Sequence, residues 1–157
     1  MVKIKVGKIH DVVITDLKVI SDERGAVLHM LRSDDPVFHK FGEIYFSKVL
    51  PGAIKAWKLH KKMILNLAVP VGKVKLVLYD DRSGSKTKGV IQEIILSEEN
   101  YKLVTVPSLV WSGFTAIGNE AALLANCASI PHDPSESERL DPFNNNIPDN
   151  WETKNGK

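Results

Sequence analysis

The sequence predicts an all-β fold, a sandwich or closed barrel of short strands. Three observations carry that expectation. Glycine and proline punctuate the chain at short intervals, at Gly25, Pro51-Gly52, Gly72, Gly84, Gly89, Pro107, Gly113 and Gly118. The segments between them are rich in Val, Ile and Leu, residues that suit a pleated, half-buried surface. No segment sustains a helical period over three or more turns.

Each strand follows from that punctuation. The first, 12–20, opens on Val12-Val-Ile and stops before Ser21-Asp22. The next, 26–31, leaves the Gly25 turn, and 43–50 ends at Pro51-Gly52. Segments 74–79 and 90–96 begin just past Gly72 and Gly89, 102–106 stops at Pro107, and 121–125 follows Gly118. Helix is confined to single turns at 36–41 and 135–139. Residues 1–131 read as the barrel. From His132 to Lys157 the composition shifts to Pro, Asp, Asn, Ser and Glu, with Leu140, Phe143, Ile147 and Trp151 as isolated apolar anchors. That segment is expected to wrap the same domain, its last five or six residues disordered.

Composition sets the class. A chain of 157 residues with 43% hydrophobic and 25% charged residues fits one domain that folds without a disulfide or metal staple. The single cysteine, Cys127, cannot form an internal disulfide and sits in an apolar run as an inert thiol. No apolar stretch approaches a membrane span and the N-terminus does not read as a signal peptide, so a cytoplasmic protein is expected. A net charge of +2 is far from a nucleic-acid binder's basic stripe. Four lysines nevertheless fall between Lys55 and Lys62, a local concentration that suits a diphosphate.

Phosphate-loop, zinc-protease, Cys-x-x-Cys and Gly-x-Ser-x-Gly patterns are all absent. What remains lies between Gly52 and Gly72. Gly52, five residues, Lys58-Leu-His60 and a closing Gly72 resemble the first motif of cupin barrels, and Pro107-Ser-Leu-Val-Trp-Ser112 the second. Strand alternation aims positions 58 and 60 at one face, the interior. Lysine, a single histidine and serine cannot replace a metal-ligand set, so neither metal nor other cofactor is expected.

Further motifs narrow the resemblance. Asp22-Glu-Arg24-Gly25, Gly52-Ala-Ile-Lys55-Ala-Trp-Lys58, Leu78-Tyr-Asp80-Asp-Arg82, Ser85-Lys-Thr87-Lys-Gly89, Leu96-Ser97-Glu-Glu-Asn100, Pro107 to Phe114 and Asp141-Pro142 stand in the order and spacing of one family. The chain resembles the dTDP-4-dehydrorhamnose 3,5-epimerases, the RmlC-like cupins, over roughly residues 10 to 151. The resemblance implies a double-stranded β-helix (jelly-roll) barrel, a homodimer with N-terminal strands shared across the interface, and a nucleoside-diphosphate 4-keto deoxysugar as ligand. It also implies a histidine base, an enolate-stabilising lysine and a tyrosine acid. Here those positions hold Lys58, Leu65 and Asn126, and Ser112 replaces the histidine before Gly-Phe.

The residues themselves suggest a substitute set. His60 is the candidate base, since imidazole titrates near neutrality. Lys58, on the same face, would keep it neutral and polarise a sugar ketone; Tyr45 and His132 are candidate proton donors. Arg24, Lys55, His29, Trp57, Asn126 and His132 are the candidate substrate contacts. The plain alternative for His60 is a satisfied histidine beside a surface lysine run. Three functions stand open: a metal-free epimerase or ketoisomerase, a catalytically silent sugar-nucleotide binder, and a carbohydrate-binding structural subunit.

Overall fold

The computed structural model describes residues 5–148 and Trp151. Six strands form one sheet, in the order β1 (Lys5–Val6), β9 (Val90–Ser97), β8 (Lys73–Asp80), β11 (Val110–Ala116), β6 (Ile54–His60) and β13 (Ser137–Arg139). Five form the second: β2 (Val13–Asp16), β10 (Lys102–Val106), β7 (Leu65–Val71), β12 (Ala122–Ala128) and β5 (Glu43–Val49). A separate hairpin joins β3 (Val19–Asp22) to β4 (Gly25–Leu28). The chain forms the jelly-roll barrel that its sequence resembles.

Alternation builds the interior. Leu65, Leu67 and Val69 of β7 meet Val74, Leu76 and Leu78 of β8 in the main core. Burying each such side chain contributes roughly 1.5–3 kcal/mol. Outside the first sheet, Trp57, Leu59, Val77, Ile91 and Trp111 pack under Ile147 and Trp151 of the C-terminal segment. Outside the second, Ala68, Tyr101 and Leu103 lie under Leu17, Leu28, Met30 and Leu31 from the hairpin and its flanks. The barrel is therefore covered on both outer faces.

Two glycines are fixed by space. Gly72 turns β7 into β8 at φ +82°, and a Cβ there would come 2.6 Å from the Ala122 Cα. At Gly113 a Cβ would meet Ala56 Cβ at 2.4 Å and the Trp151 ring at 2.9 Å.

Several expected elements differ. Segment 12–20 splits into β2, which pairs with β10, and β3, which leaves that sheet to pair with β4. Strands β6, β7 and β11 also stand as separate elements beyond the seven segments expected. β7 is buried on both faces over Leu65 to Val69, so it lacks the alternation that marks a strand with one solvated face. No helix forms at 36–41, where turns run instead. At 135–139 only a 3-10 turn, Pro134–Glu136, forms, capped by Asp133, before β13 pairs with β6. Of the four expected anchors, Ile147 and Trp151 are buried, whereas Leu140 and Phe143 are exposed. The tail's last residues, expected to be disordered, lie outside the described residues. No described helix is long and apolar enough to cross a membrane.

Candidate active site

A cavity of about 870 Å³ opens between the two sheets. Its floor is apolar, made by Met63, Leu65, Leu67, Phe114 and Leu124. Its polar side chains come from opposite walls: Lys58 and His60 from β6 in one sheet, Glu43 and Tyr45 from β5 in the other. The C-terminal segment adds His132, Arg139 and Asp141 at the rim.

His60 is 6% exposed, and its Nδ1 lies 2.6 Å from Oε1 of Glu136, itself 4% exposed. The second carboxylate oxygen of Glu136 accepts the Lys62 and Met63 amides at 2.8 and 2.9 Å. The pairing follows from topology. β13 lies antiparallel to β6 with Ser137 opposite His60, so the residue just before β13 reaches the histidine. Burial lowers the pKa of His60, with Lys58 and His132 adding to it, and these outweigh the attraction of Glu136. Burial alone would raise the Glu136 carboxyl, but the hydrogen bonds from His60, Lys62 and Met63 hold it below its ordinary value. Near neutral pH the pair is therefore a neutral imidazole against a carboxylate. Nδ1–H donates to Glu136, which leaves the Nε2 lone pair for a proton.

Lys58 sits two residues before His60 and directly opposite Arg139 on β13. Burial, then the Arg139 charge, lowers its pKa. On the facing wall, Tyr45 is the cross-strand partner of Asn126, and its hydroxyl accepts a 3.0 Å hydrogen bond from Asn126 Nδ2. Lys55 lies at the same cavity, exposed, donating to Ser47 Oγ at 2.8 Å.

The structure thus brings together Lys58, His60, Tyr45, Lys55 and His132. It separates four others from direct contact. Arg24 and His29 are not among the residues around the cavity; Arg24 projects from the β3–β4 turn, 82% exposed and paired with Asp22 at 2.6 Å. Trp57 borders the cavity, yet its side chain is 1% exposed and tilts against Trp151 with ring centroids 5.4 Å apart. No face is left to stack on a base, because the C-terminal segment covers the outward side of β6. Asn126 is in the cavity wall with 0% accessible surface, so it supports Tyr45 instead of touching a ligand.

Glu136 does not stand out in the sequence. It lies 76 residues from His60, in a Ser/Glu-rich stretch where nothing local separates it from Glu138. The one available signal was Asp133-Pro134-Ser135, the cap and first turn that set its position.

A family model described as dTDP-4-dehydrorhamnose 3,5-epimerase matches residues 7–156. The chain belongs to this family. A solved dTDP sugar isomerase from Desulfovibrio desulfuricans superposes with a TM-score of 0.89 at 47% identity, over 91% of this chain and 92% of that one. The "Probable low-salt glycan biosynthesis epimerase Agl13" of Haloferax volcanii is 37% identical over 120 residues, 75% of this chain and 77% of the relative. The spore coat polysaccharide biosynthesis protein SpsL of Bacillus subtilis is 32% identical over 136 residues, 85% and 90% of the two chains. The chain is an enzyme of the epimerase and isomerase class of sugar biosynthesis. Lys58, Leu65, Ser112 and Asn126 all line the same cavity. His60 and Tyr45 line it beside them.

Proposed function

We propose that this chain isomerises a nucleoside-diphosphate 4-keto deoxysugar by metal-free proton transfer next to the ketone. The observation that carries the reading is the buried Glu136 carboxylate held against His60, which lines the cavity. His60 Nε2 takes the proton from the carbon beside the carbonyl, and the electron pair moves onto the carbonyl oxygen as an enolate. Lys58, on the same wall, stabilises that oxygen. Tyr45, from the facing sheet, returns a proton to the opposite face of the carbon, and solvent restores the phenol and the neutral imidazole. Base and acid on opposite walls suit inversion at one carbon.

Lys55 and Arg139, at the same cavity, supply cationic charge for the diphosphate. The fold is proposed to work in the cytoplasm as a homodimer. Ile20 and Val27 on the hairpin are 55% and 59% exposed, and Phe46 on the edge strand β5 is 60% exposed, apolar surface that a second copy would cover. That copy would carry Arg24 and His29 toward its partner's cavity.

The test is deuterium incorporation. The protein is incubated with dTDP-4-keto-6-deoxyglucose in deuterated water. Exchange at a carbon flanking the ketone, lost in His60→Ala, is the expected result. Measurable binding without exchange would convert the chain into a silent sugar-nucleotide binder.

A further inference from the structure

We propose that Asn126 is a positioning residue for this reaction, fixing the Tyr45 hydroxyl so that its proton points into the cavity. The proposal rests on the assignment of Tyr45 as the acid. Asn126 and Tyr45 are direct cross-strand partners on β12 and β5, which places both side chains on the same face. The orientation of the amide is set from the other side. Asn126 Oδ1 accepts the backbone N–H of Asn66 on β7 at 3.2 Å, an atom that can only donate. The Nδ2 group is thereby turned toward Tyr45, 3.0 Å from its oxygen. Asn66 is itself anchored, its own side-chain oxygen accepting from Thr105 Oγ1 at 2.7 Å.

The direction of donation therefore runs from β7 through Asn126 to the phenol. Tyr45 receives at its oxygen, so its single O–H is left to donate elsewhere. An amide N–H aimed at that oxygen also stabilises the phenolate left once the proton has gone. Asn126 has no accessible surface and cannot do this work by touching the sugar. The amide stands where the family resemblance expects the tyrosine, and Tyr45 stands one strand outward, on β5.

The experiment follows exchange and product formation together by proton NMR, with dTDP-4-keto-6-deoxyglucose in deuterated water. A chain with base but no acid still exchanges the proton beside the ketone yet forms inverted product slowly. Tyr45→Phe should raise the ratio of exchange to product by about 10²-fold. Asn126→Leu should raise the same ratio by about tenfold, and the double variant should be no worse than Tyr45→Phe alone. Should Asn126→Leu fail to fold, Asn126→Asp keeps the acceptor for Asn66 and removes the donor, with the same expectation. A purely structural asparagine would lower exchange and product equally and leave the ratio unchanged, or add its full effect to that of Tyr45→Phe; either result overturns the proposal. If Tyr45→Phe itself leaves the ratio untouched, the fault lies in the assignment of the acid. Absence of exchange in the unaltered protein would remove the reading of the site as a whole.

Discussion

Two buried carboxylates, Asp80 at the end of β8 and Glu136 before β13, show how differently one chemical group is used in this barrel. Asp80 has 0% accessible surface and takes all its partners from its own loop. Arg82 Nε donates to one oxygen at 2.8 Å, and Arg82 Nη2, Ser85 Oγ and Thr87 Oγ1 to the other at 2.9, 2.6 and 2.6 Å. Two of the family-like motifs, Leu78 to Arg82 and Ser85 to Gly89, are thus one hydrogen-bonded knot closing the β8–β9 connection. Glu136 instead gathers partners from a distant turn and gives one oxygen to a histidine that faces the cavity. A carboxylate satisfied within its own loop holds the fold; one shared with a cavity imidazole can do chemistry.

Removing the charge of each carboxylate in turn separates the two roles. Glu136→Gln keeps the shape but removes the charge and the tautomer control on His60. Turnover is expected to fall by about 10³- to 10⁴-fold, read in the exchange assay, with only a small change in melting temperature. Asp80→Asn should do the reverse. Removing one member of a buried ion pair costs about 3–5 kcal/mol, measurable by denaturant unfolding, while turnover per folded molecule stays unchanged. Equal losses of activity and stability in both variants would erase the distinction.

Titration sharpens it further. Because the His60 pKa lies below its ordinary 6.5, the acid limb of the kcat/KM profile should fall below pH 6.5. Both carboxylates also bind protons less readily in the folded chain than in the unfolded one. Their stabilisation is therefore complete above the ordinary carboxylate range and is lost progressively as pH falls below it, toward their lowered folded values. Asp80→Asn should flatten most of that acid loss in a series of melts, and Glu136→Gln a smaller part. The smallest effect concerns Ser85→Ala, which deletes one of the donors to Asp80. About 1 kcal/mol of stability should go, with no change in exchange rate.

What the sequence revealed follows the same division between local and distant. Parity along β6 placed Lys58 and His60 in the cavity because alternation is a property of neighbouring residues. Glycine and proline marked most strands for the same reason. Trp57 reads as a candidate substrate contact in the sequence because alternation tells which residues share a face but not what covers it. Here the cover is Ile147 and Trp151, roughly ninety residues on. Glu136 escaped for a related reason: only the β13–β6 register brings it to His60. Arg24 and His29, assigned by resemblance alone, sit on a hairpin that a single chain holds away from its own cavity.

The position of β13 carries a consequence for the order in which the protein matures. Both sheets have their core strands once synthesis has passed Ala128, the end of β12. A nascent chain at that stage encodes the cavity floor, Lys58, His60 and the Tyr45–Asn126 pair, but not the carboxylate that orients the imidazole. Glu136 lies beyond Ala128 in the chain, so the shape of the cavity is encoded ahead of the carboxylate paired with its histidine.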